Sequence, residues 1–323
     1  MLVISEQDAR ALVSVESAIA AVEQTFAAMA RGQARNYPVV REVVGHQDAV
    51  FGVKTGCDTG VPILGLKAGG YWPHNLAKGS TNHQSSTLLF DPETGRASAL
   101  VSANYLTGVR TGAASAIATK YLSRPDSTVL GIIGTGVQSV YQLRATLAVR
   151  PIRRVYAWDP SGQNLADFGR TVAQLGLEYA PQSDCQAVAA NADILITVTP
   201  SQRALVEKSW VRAGTHISAM GADTRGKQEL DPALVASAAL FVDEAAQAIT
   251  IGECQHAYNA GLITLQSLRG SIGAVVAGSC EGRRNAHEIT LFDGTGVALQ
   301  DLVVADLAVR LAAERGLGSR VAY

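Results

Sequence analysis

Residues 129–139 read Val-Leu-Gly-Ile-Ile-Gly-Thr-Gly-Val-Gln-Ser, and residues 153–159 read Arg-Arg-Val-Tyr-Ala-Trp-Asp. The first stretch predicts an apolar strand that runs into a glycine-spaced turn, and the second predicts a strand that ends in an acid. Strand, tight turn, helix, strand and acid is the order of a dinucleotide-binding βαβ unit. Glycines also mark ordinary turns, so the other interpretation is a βα turn without a ligand.

The glycine-spaced turn supplies the backbone that a dinucleotide needs. Gly134 permits the tight turn, and Gly136 lets the backbone approach a pyrophosphate. The helix predicted from about residue 137 to about 149 directs its N-terminal amides and partial positive charge at the phosphates. The residues predicted to bind the cofactor in this turn are Gly134, Thr135, Gly136, Val137, Gln138 and Ser139.

Asp159 distinguishes between the two nicotinamide cofactors. Its carboxylate would accept hydrogen bonds from the adenosine ribose hydroxyls and would repel a 2′-phosphate. No arginine follows it in Asp-Pro-Ser-Gly, and Arg153 and Arg154 come before the strand. We therefore predict NAD(H) rather than NADP(H). The alternative role of Asp159 is to cap the helix that starts near Gly162, but Ser161 can take that role and leave the acid free.

The composition predicts a globular protein without polyanionic partners. Apolar residues make up 47% of the 323 residues and charged residues 17%, which suffices for two domains with buried sheets. The net charge of −1 gives no electrostatic reason to expect nucleic acid or an anionic membrane as a partner. The first ten residues do not resemble a signal peptide, and no apolar run has the length of a membrane span. We expect a cytoplasmic protein.

The four cysteines predict neither a metal site nor a disulfide framework. They lie far apart in the sequence and match no zinc-binding spacing. Buried free thiols in a reducing cytoplasm are the expected state. The four are Cys57, Cys185, Cys254 and Cys280.

The hydrophobic pattern predicts an α/β protein with two domains. From residue 128 onward, strand candidates alternate with helices, which is typical of a Rossmann-type doubly wound parallel sheet. Residues 14–30 have helical spacing, residues 38–102 predict an antiparallel or mixed sheet, and a helix follows near 106–122. The candidate strands of the parallel sheet are 128–133, 153–158, 193–199, 215–220, 240–243 and 289–292.

We expect the domains to divide near residue 122. Residues 1–122 would form a smaller α+β domain for substrate binding and dimerisation, and 123–299 would form the NAD-binding Rossmann domain. A long helix over 298–315 would end at Gly316, and the segment 300–323 would pack back on the first domain. Ligands bind beyond the carboxyl ends of parallel strands, so the cofactor site would also include Thr197, Val198, Thr199, Met220, Gly221 and Asp223.

Three cations lie where substrate binding is plausible. Lys67 ends the apolar run 62–66 and precedes two glycines, so its ammonium would point toward a cleft. Arg110 lies at the start of a helix of small residues, where a guanidinium near helix-start amides can bind a carboxylate. Arg41 follows Tyr-Pro-Val-Val on a predicted edge strand. A single lysine or arginine is usually a solvated surface residue, but Lys67 and Arg110 have small, apolar neighbours.

Two other polar segments have alternative interpretations. Asp223 follows the strand 215–220 and is either a turn residue or a proton carrier. Glu229 and Asp231 are expected to cap the next helix. His74 and His83 lie in a polar loop that lacks a nearby acidic cluster, which makes a metal site poor and substrate hydrogen bonding or loop structure the better explanation.

These segments together resemble the ornithine cyclodeaminase/mu-crystallin family over nearly the whole chain. Its markers are Gly65-Leu-Lys with Pro73-His-Asn, Leu89-Phe-Asp-Pro-Glu-Thr-Gly, Leu106-Thr-Gly-Val-Arg-Thr-Gly-Ala-Ala, the 131–139 turn, Gly221-Ala-Asp with Lys227-Gln-Glu-Leu, and Phe292-Asp-Gly-Thr-Gly-Val-Ala-Leu-Gln-Asp. The family includes cyclodeaminases, archaeal-type alanine dehydrogenases and ketimine or cyclic-imine reductases. All of them oxidise an amino acid to an imine or perform the reverse reaction.

The resemblance implies a role for several residues. Arg41, Lys67 and Arg110 would hold the substrate carboxylate, and Asp223 would serve the substrate nitrogen, with Lys67 and Asp223 as the catalytic pair. Gly296 and Val297 would lie near the nicotinamide. The resemblance also implies a homodimer. A different class stays open, because mu-crystallin-like proteins can act as cofactor-dependent binding proteins.

One segment departs from the cyclodeaminase pattern. Cyclodeaminases carry a Met-Pro segment and a nearby acid before the Lys67 strand, where the distal amine of the substrate is handled. Here that stretch is Val-Phe-Gly-Val-Lys-Thr-Gly-Cys-Asp-Thr, which has a cation and no glutamate. A pocket with Lys54, His74, Asn82 and His83 suits a second carboxylate better than a second ammonium. The chain therefore looks most like the iminosuccinate reductase branch, which makes L-aspartate from its imine; ornithine cyclodeaminase, alanine dehydrogenase and cyclic ketimine reductase activities are the alternatives.

Overall fold

The computed structural model describes residues 1–322, which form two compact units. Unit 1 consists of residues 1–110 and 297–322, and unit 2 consists of residues 111–296. The division therefore falls inside a helix, before the expected boundary at residue 122. That the two units serve substrate and cofactor respectively stays a prediction.

The elements follow in chain order. The first part of the chain contains β1 (Leu2–Ile4), α1 (Glu6–Leu12), α2 (Val15–Ala30), β2 (Ala34–Asn36), β3 (Val40–Val43), β4 (Val50–Asp58), β5 (Ile63–Tyr71), β6 (His83–Phe90), β7 (Ala97–Ser102) and α3 (Asn104–Leu122). The middle part contains β8 (Val129–Ile133), α4 (Val137–Leu147), β9 (Arg154–Trp158), α5 (Gly162–Gln174), β10 (Glu178–Pro181), α6 (Cys185–Asn191), β11 (Ile194–Thr197), β12 (Gln202–Val206), β13 (His216–Ala219), β14 (Gln228–Leu230), α7 (Pro232–Ser237) and β15 (Ala239–Val242). The last part contains α8 (Ala245–Ala248), α9 (Gln255–Asn259), β16 (Leu268–Ser271), α10 (Ile272–Val276), β17 (Thr290–Asp293), α11 (Ala298–Arg315) and β18 (Ser319–Arg320).

Unit 1 is built on a mixed sheet. Its strand order is β18-β1-β7-β6-β5-β4-β2, and β3 pairs with β4 alone. β1 is parallel to β7, whereas β4, β5, β6 and β7 form an antiparallel meander. Helix α11 packs on β4 and β5 and against α2. The C-terminal helix therefore completes the core of the unit that the N-terminal segment begins.

Local signals explain the two helices on this sheet. The hydroxyl of Ser14 accepts from the amide of Ser17 and caps α2, whose Ile19, Val22 and Phe26 are buried at helical spacing. α11 ends where Gly316 adopts the left-handed conformation at φ 65°, which suits a residue without a Cβ. The helix predictions for 14–30 and 298–315 are confirmed.

Unit 2 has the doubly wound sheet that the sequence predicts. The strand order is β10-β9-β8-β11-β13-β17-β15-β16, and every pairing is parallel. The central strands β11, β13, β15 and β17 are buried at each position, as expected where helices cover both faces of a parallel sheet. β12 and β14 form a separate two-stranded parallel pair. The fold class is confirmed.

The helices of residues 1–322 contain one pair, and no single member, with the length and apolar character of a membrane span. No single helix is long and apolar enough to cross a bilayer; α1 and α2 together reach the required length and composition, with a bend of 86° between them.

Candidate functional site

The glycine turn of unit 2 has the geometry that its sequence predicts. Gly134 follows β8 at φ +96°, and a Cβ on it would lie 2.7 Å from the carbonyl oxygen of Val198. A Cβ on Gly136 would meet nothing within 4 Å. Gly136 is also the N-cap of α4 and contributes no side-chain hydrogen bond. The space beside the start of α4 is therefore open, as an incoming pyrophosphate requires.

Two polar atoms beside this turn support a cofactor site. Thr135 Oγ1 and Gln138 Oε1 are buried and have no hydrogen-bond partner within the described chain, although buried polar atoms are normally bonded. Val137, the first residue of α4, is 72% exposed despite its apolar side chain. The start of α4 therefore combines open space beside Gly136, two buried polar atoms without a partner and an exposed valine. This combination fits the binding of a dinucleotide.

Asp159 is not free, contrary to the sequence expectation. Its Oδ2 accepts from the amide of Thr135 at 2.7 Å, and its Oδ1 accepts from the amide of Ser161 at 2.8 Å. Ser161 caps α5 as expected, because its hydroxyl accepts from the amide of Asn164. The carboxylate of Asp159 at the end of β9 thus stabilises the glycine turn by its hydrogen bond to the amide of Thr135. A carboxylate has about four acceptor positions, so Asp159 retains capacity for ribose hydroxyls.

The strand order places a second loop against the glycine turn. β8 lies between β9 and β11. After β8 the chain adds β9 and β10 on one side of it and then crosses to add β11 on the other side, and ligands bind at such a switch in strand order. The amide of Val198 donates to the carbonyl oxygen of Ile133 at 2.9 Å. The residues predicted from this loop, Thr197, Val198 and Thr199, therefore lie beside the turn.

Glu229 does not cap a helix, so that prediction was wrong. Asp231 alone is the N-cap of α7 and accepts from the amide of Ala233. Glu229 lies in β14 and is fully buried, with its carboxylate bonded to Thr197, Thr199 and Gly221. The strand β14 carries its side chain inward because it pairs with β12 beside the main sheet.

Asp223 lies in the loop after β13 and is held by its neighbours. Lys227 Nζ donates to Asp223 Oδ1 at 2.7 Å, and the hydroxyl of Thr224 donates to the same oxygen at 3.1 Å. The ion-paired side chains are 32% and 27% exposed for Asp223 and Lys227 respectively. The carboxylate is accordingly fixed in position at the ligand-binding edge of the sheet.

The segment after β17 is held by another acid. Asp243 accepts from the hydroxyl of Thr295 and from the amide of Gly296, both at 2.7 Å. Gly296 has φ +76°, and a Cβ on Gly294 would lie 2.6 Å from Met220 Sδ. Met220, Gly221 and Gly296 thus stand at the carboxyl ends of β13 and β17, neighbouring strands of the sheet.

In unit 1, the sequence predicted Lys67 at the end of a strand, but the structure places it in the middle of β5. It is the central residue of Ile63–Tyr71, because the glycines that follow it continue the strand. It lies directly opposite Lys54 on β4 and Thr87 on β6. Residues that are directly opposite in an antiparallel sheet share a face, so both lysines project from one face.

A third residue joins Lys67 and Arg110. Asp301, in the first turn of α11, accepts from Arg110 Nε at 2.9 Å and from Lys67 Nζ at 3.3 Å, both through Oδ1. Arg110 Nη1 also donates to Gln300 Oε1 at 3.0 Å. Arg110 lies in the second turn of α3, not beside the amides that begin it. We call Lys67, Arg110 and Asp301 the carboxylate clamp.

The charged groups of the carboxylate clamp shift the pKa values of one another. Burial, together with the charges of Arg110 and Lys54, lowers the pKa of Lys67 to about 7, although Asp301 acts in the opposite direction. Burial alone would raise the pKa of Asp301, but the charges of Arg110, Lys67 and Lys54 lower it below its usual value. Two cations thus share one buried carboxylate, which leaves positive charge for an anionic ligand.

Other predicted residues share the face of Lys67. Side chains alternate along a strand, and the register aligns Tyr71 with His83 and Arg41 with Gly52. Arg41, Lys54 and His83 therefore project on the same side as Lys67. His83 Nε2 lies 3.1 Å from the hydroxyl of Ser85. Gly52 and Gly69 also lie on this face. A Cβ would come within 2.6 Å of the carbonyl oxygen of Val40 at Gly52 and closer still to that of Gln84 at Gly69, so these glycines permit the neighbouring strands to approach closely.

His74 and Asn82 are placed differently. They belong to the loop between β5 and β6, where His74 Nε2 lies 3.2 Å from Asp48 Oδ2 on the surface. Asn82 accepts from the amide of Leu76 and donates to the hydroxyl of Tyr71, each at 3.1 Å. Their side chains hold the loop together, and the structure does not bring them onto the face that carries the clamp.

Metal and disulfide chemistry find no support in residues 1–322. No group of three or more His, Cys, Asp or Glu side chains there is arranged to hold a metal ion. All four cysteines are free, with Cys185 and Cys254 buried and Cys57 and Cys280 half-buried.

The sequence analysis did not identify several residues that the structure places at or beside the candidate site. Asp301 and Gln300 were visible only as part of the motif that ends at Asp301, and an acid in the first turn of a helix has an ordinary explanation in the helix dipole. Ser85 and Glu229 lie on strands whose pattern gives no sign of a site.

Comparison with known proteins identifies the family. The model of the ornithine cyclodeaminase/mu-crystallin family matches residues 1–315. The chain belongs to the ornithine cyclodeaminase/mu-crystallin family. It is 50% identical over 321 residues to the iminosuccinate reductase of Paracoccus denitrificans (strain Pd 1222), covering 99% of each chain. The family resemblance predicted from the sequence is confirmed.

Three solved structures are similar along the whole chain. The NAD⁺ complex of the Paracoccus denitrificans iminosuccinate reductase has a TM-score of 0.95 at 49% identity and covers 100% of this chain and 99% of that one. The Thermococcus litoralis Δ1-pyrroline-2-carboxylate reductase with NADH and L-proline has a TM-score of 0.95 at 33% identity, covering 99% and 100%. An archaeal alanine dehydrogenase dimer with bound NAD has a TM-score of 0.95 at 35% identity, covering 100% and 99%.

Proposed function

We propose that this protein is an NADH-dependent imine reductase that converts an imino acid, iminosuccinate, to L-aspartate. The observation that carries the proposal is the carboxylate clamp, in which two buried cations share one acid, in a chain that is 50% identical to an iminosuccinate reductase along its length. The surplus positive charge suits a substrate whose carbon skeleton ends in carboxylates.

Unit 2 would hold the cofactor. The amides at the start of α4 would receive the pyrophosphate, and the carboxylate of Asp159 would receive the adenosine ribose hydroxyls. The loops after β11 and β13, and the segment at Gly296, would line the nicotinamide half. When bound, NADH supplies the hydride that reduces the imine carbon.

Unit 1 would hold the substrate. Arg110 and Lys67 would bind the α-carboxylate by charge-assisted hydrogen bonds, and Arg41 would add a further cation from the same face. These contacts orient the imine carbon and withdraw electron density from it. Much of the rate would therefore come from positioning.

The reaction also needs one proton on the substrate nitrogen. Lys67, with a pKa of about 7, can exist in both protonation states near neutral pH and can donate that proton. Asp223 would stabilise the positive charge of the iminium form. One hydride at carbon and one proton at nitrogen convert the C=N bond into an amine.

The distal end of the substrate would lie near Lys54 and His83. Both project from the face of Lys67. His74 and Asn82, the other members of the proposed set, belong to the adjacent loop, where His74 lies beside Asp48 and Asn82 beside Tyr71. Such donors favour a second carboxylate over an ammonium or a methyl group.

A panel of imino substrates tests the proposal. We expect NADH oxidation with iminosuccinate to exceed that with pyruvate plus ammonia by about ten- to a hundredfold in kcat/KM, because one charge-assisted contact contributes about 1.5–3 kcal/mol. Ornithine should be inert. His83→Ala should lower the iminosuccinate preference, whereas His287→Ala, an exposed histidine of unit 2, should leave it unchanged.

Each other result identifies an alternative. Equal rates with pyruvate plus ammonia would indicate an alanine dehydrogenase, and release of proline from ornithine would indicate a cyclodeaminase. Preference for a cyclic imine would indicate a ketimine reductase. Tight NADH binding without turnover on any substrate would indicate a mu-crystallin-like binding protein.

We also propose a cytoplasmic homodimer. β3 is an edge strand that, within residues 1–322, pairs with β4 alone, and its Val40 and Val43 are 56% and 75% exposed. Unprotected apolar edges favour pairing with another chain, and the similar archaeal alanine dehydrogenase is a dimer. Sedimentation should give a dimer at micromolar concentration, and Val43→Lys should shift it toward monomer.

A further inference from the structure

Glu229 lies behind the ligand-binding edge of the unit 2 sheet. The carboxylate is fully buried and accepts four hydrogen bonds. Its Oε1 accepts from the amide of Thr199 at 2.6 Å and from the hydroxyl of Thr199 at 2.8 Å. Its Oε2 accepts from the hydroxyl of Thr197 at 2.8 Å and from the amide of Gly221 at 2.9 Å.

These four donors belong to two different strands. Thr197 and Thr199 stand at the carboxyl end of β11, and Gly221 stands at the carboxyl end of β13, the neighbouring strand. Each strand pairs with the other only as far as Thr197 and Ala219. Beyond that point the backbone amides of Thr199 and Gly221 have no strand partner in this pairing, and Glu229 supplies the acceptor instead.

A second buried acid fixes Glu229 itself. Glu253 accepts from the amide of Glu229 at 2.9 Å and from the amide of Leu230 at 2.7 Å. Gly221 is required at its position, because a Cβ there would contact the carbonyl of Thr199 and approach Glu229 to 2.6 Å. The loop ends, the glycine and the two acids therefore form one closely packed arrangement with a single geometry.

We propose that Glu229 is a positioning residue for the cofactor: its carboxylate ties the ends of β11 and β13 together and so sets the shape of the surface that receives the nicotinamide half. It does not touch the cofactor. The inference rests on the proposed function, because it assumes that NADH binds at this edge of the sheet.

Glu229→Gln is the direct test. A glutamine keeps the size of the side chain but replaces one carboxylate oxygen with an NH₂ group, which cannot accept a hydrogen bond. Each of the two oxygens of Glu229 accepts from one backbone amide, so either orientation of the glutamine leaves one amide without its acceptor. We expect the Kd for NADH, measured by fluorescence titration of the purified protein, to rise about tenfold or more.

Asp193→Asn is the matched control. Asp193 Oδ2 accepts from the amides of Thr128 and Val129, each at 3.0 Å, so it joins the amino ends of β8 and β11 in the same sheet. We expect Asp193→Asn to lower the melting temperature, as we expect of Glu229→Gln. The Kd for NADH should change by less than about threefold in Asp193→Asn, because ligands bind at the opposite edge of the sheet.

The outcomes separate the inference from the proposed function. Wild-type protein that fails to bind NADH contradicts the proposed function. Wild-type protein that binds NADH, with Glu229→Gln binding equally well, contradicts only the positioning role. If the glutamine variant does not fold, Glu229→Asp retains the charge but cannot span both strand ends, and an unchanged Kd for that variant overturns the proposal as well.

Discussion

The two units build their binding surfaces by different means. In unit 2 the proposed cofactor surface is mostly backbone. It consists of the start of α4, Gly136 with the open space beside it, and the loop ends beyond β11 and β13. Its acids, such as Asp159 and Glu229, accept bonds from the backbone and hold it in place. In unit 1 the proposed substrate surface is made of side chains, namely two cations around Asp301.

This difference determines how each surface responds to substitution. A surface made of backbone amides changes only when the loop itself shifts, so single side-chain changes there act indirectly. A surface made of charged side chains loses its ligand contacts one residue at a time, and removing one partner leaves another buried charge uncompensated. The following predictions test that contrast, from the largest effect to the smallest.

Arg110→Ala should have the largest effect. The change removes the guanidinium that would bind the substrate carboxylate and leaves Asp301 with Lys67 as its remaining clamp partner. We expect kcat/KM for the imino acid to fall about a hundredfold or more, equivalent to about 3 kcal/mol. Arg110→Lys should recover little, because an ammonium lacks the planar fork of donors.

The same variants should bind NADH with unchanged affinity, since the proposed cofactor surface belongs to unit 2. Steady-state kinetics and NADH fluorescence titration measure the two quantities separately. Unchanged turnover in Arg110→Ala would show that the carboxylate is bound elsewhere.

The pH profile should report Lys67. Its pKa of about 7 means that the protonated, proton-donating form decreases as the pH rises through that value. We expect kcat/KM for imine reduction to fall by about tenfold per pH unit above about 7. Asp301→Asn removes the anion that raises the pKa of Lys67, so the fall should begin at a lower pH.

Lys67→Arg provides the control for the pH profile. An arginine keeps its charge throughout this pH range, so any remaining activity should no longer decline above neutral pH. A decline at the same pH in the variant would assign the titration to a different group.

Cofactor preference should respond to Asp159. Wild-type protein should prefer NADH over NADPH by about tenfold or more in kcat/KM, equivalent to about 1.4 kcal/mol. The double variant Asp159→Ser/Pro160→Arg should shift the preference toward NADPH, because it removes the charge that repels a 2′-phosphate and adds one that attracts it. Equal use of both cofactors by the wild type would refute this role of Asp159.

Ser161→Ala should have the smallest effect. The hydroxyl of Ser161 accepts from the amide of Asn164 and caps α5, so its loss should lower the free energy of unfolding by about 1 kcal/mol. The amide of Ser161, which donates to Asp159, remains. Chemical denaturation should detect the loss, while the Kd for NADH stays within about twofold; a larger change in Kd would mean that the cap shapes the cofactor surface.

The same contrast explains which parts could be predicted from the sequence. The glycine turn and Asp159 lie within one βαβ unit, where spacing along the chain fixes position in space. Asp301 lies far along the chain from Lys67 and Arg110. No local sequence pattern predicts that helix α11 places its carboxylate between those two side chains. Glu229 was misassigned because an acid before a helix resembles a cap, and only the burial of β14 shows otherwise.

The position of Lys67 illustrates a second cause. A run of apolar residues followed by glycines resembles the end of a strand, yet β5 continues through Gly69 and Gly70. Those glycines are needed because a Cβ on Gly70 would collide with the carbonyl of Val50 and one on Gly69 with Gln84. The sequence does not reveal that three strands approach closely here. For that reason the glycines looked like the end of the strand, whereas Lys67 lies at its centre.

The sequence by itself determined the parallel sheet, the glycine turn, the family and the identity of the cations, because each follows from periodicity or from motifs of a few consecutive residues. Only the tertiary structure decided that Asp301 binds both Lys67 and Arg110, that Glu229 joins two strand ends, and that Asp159 braces the turn. The physical reason is that a buried acid is stabilised by whichever donors surround it, and those donors come from elements that meet only after the chain has folded.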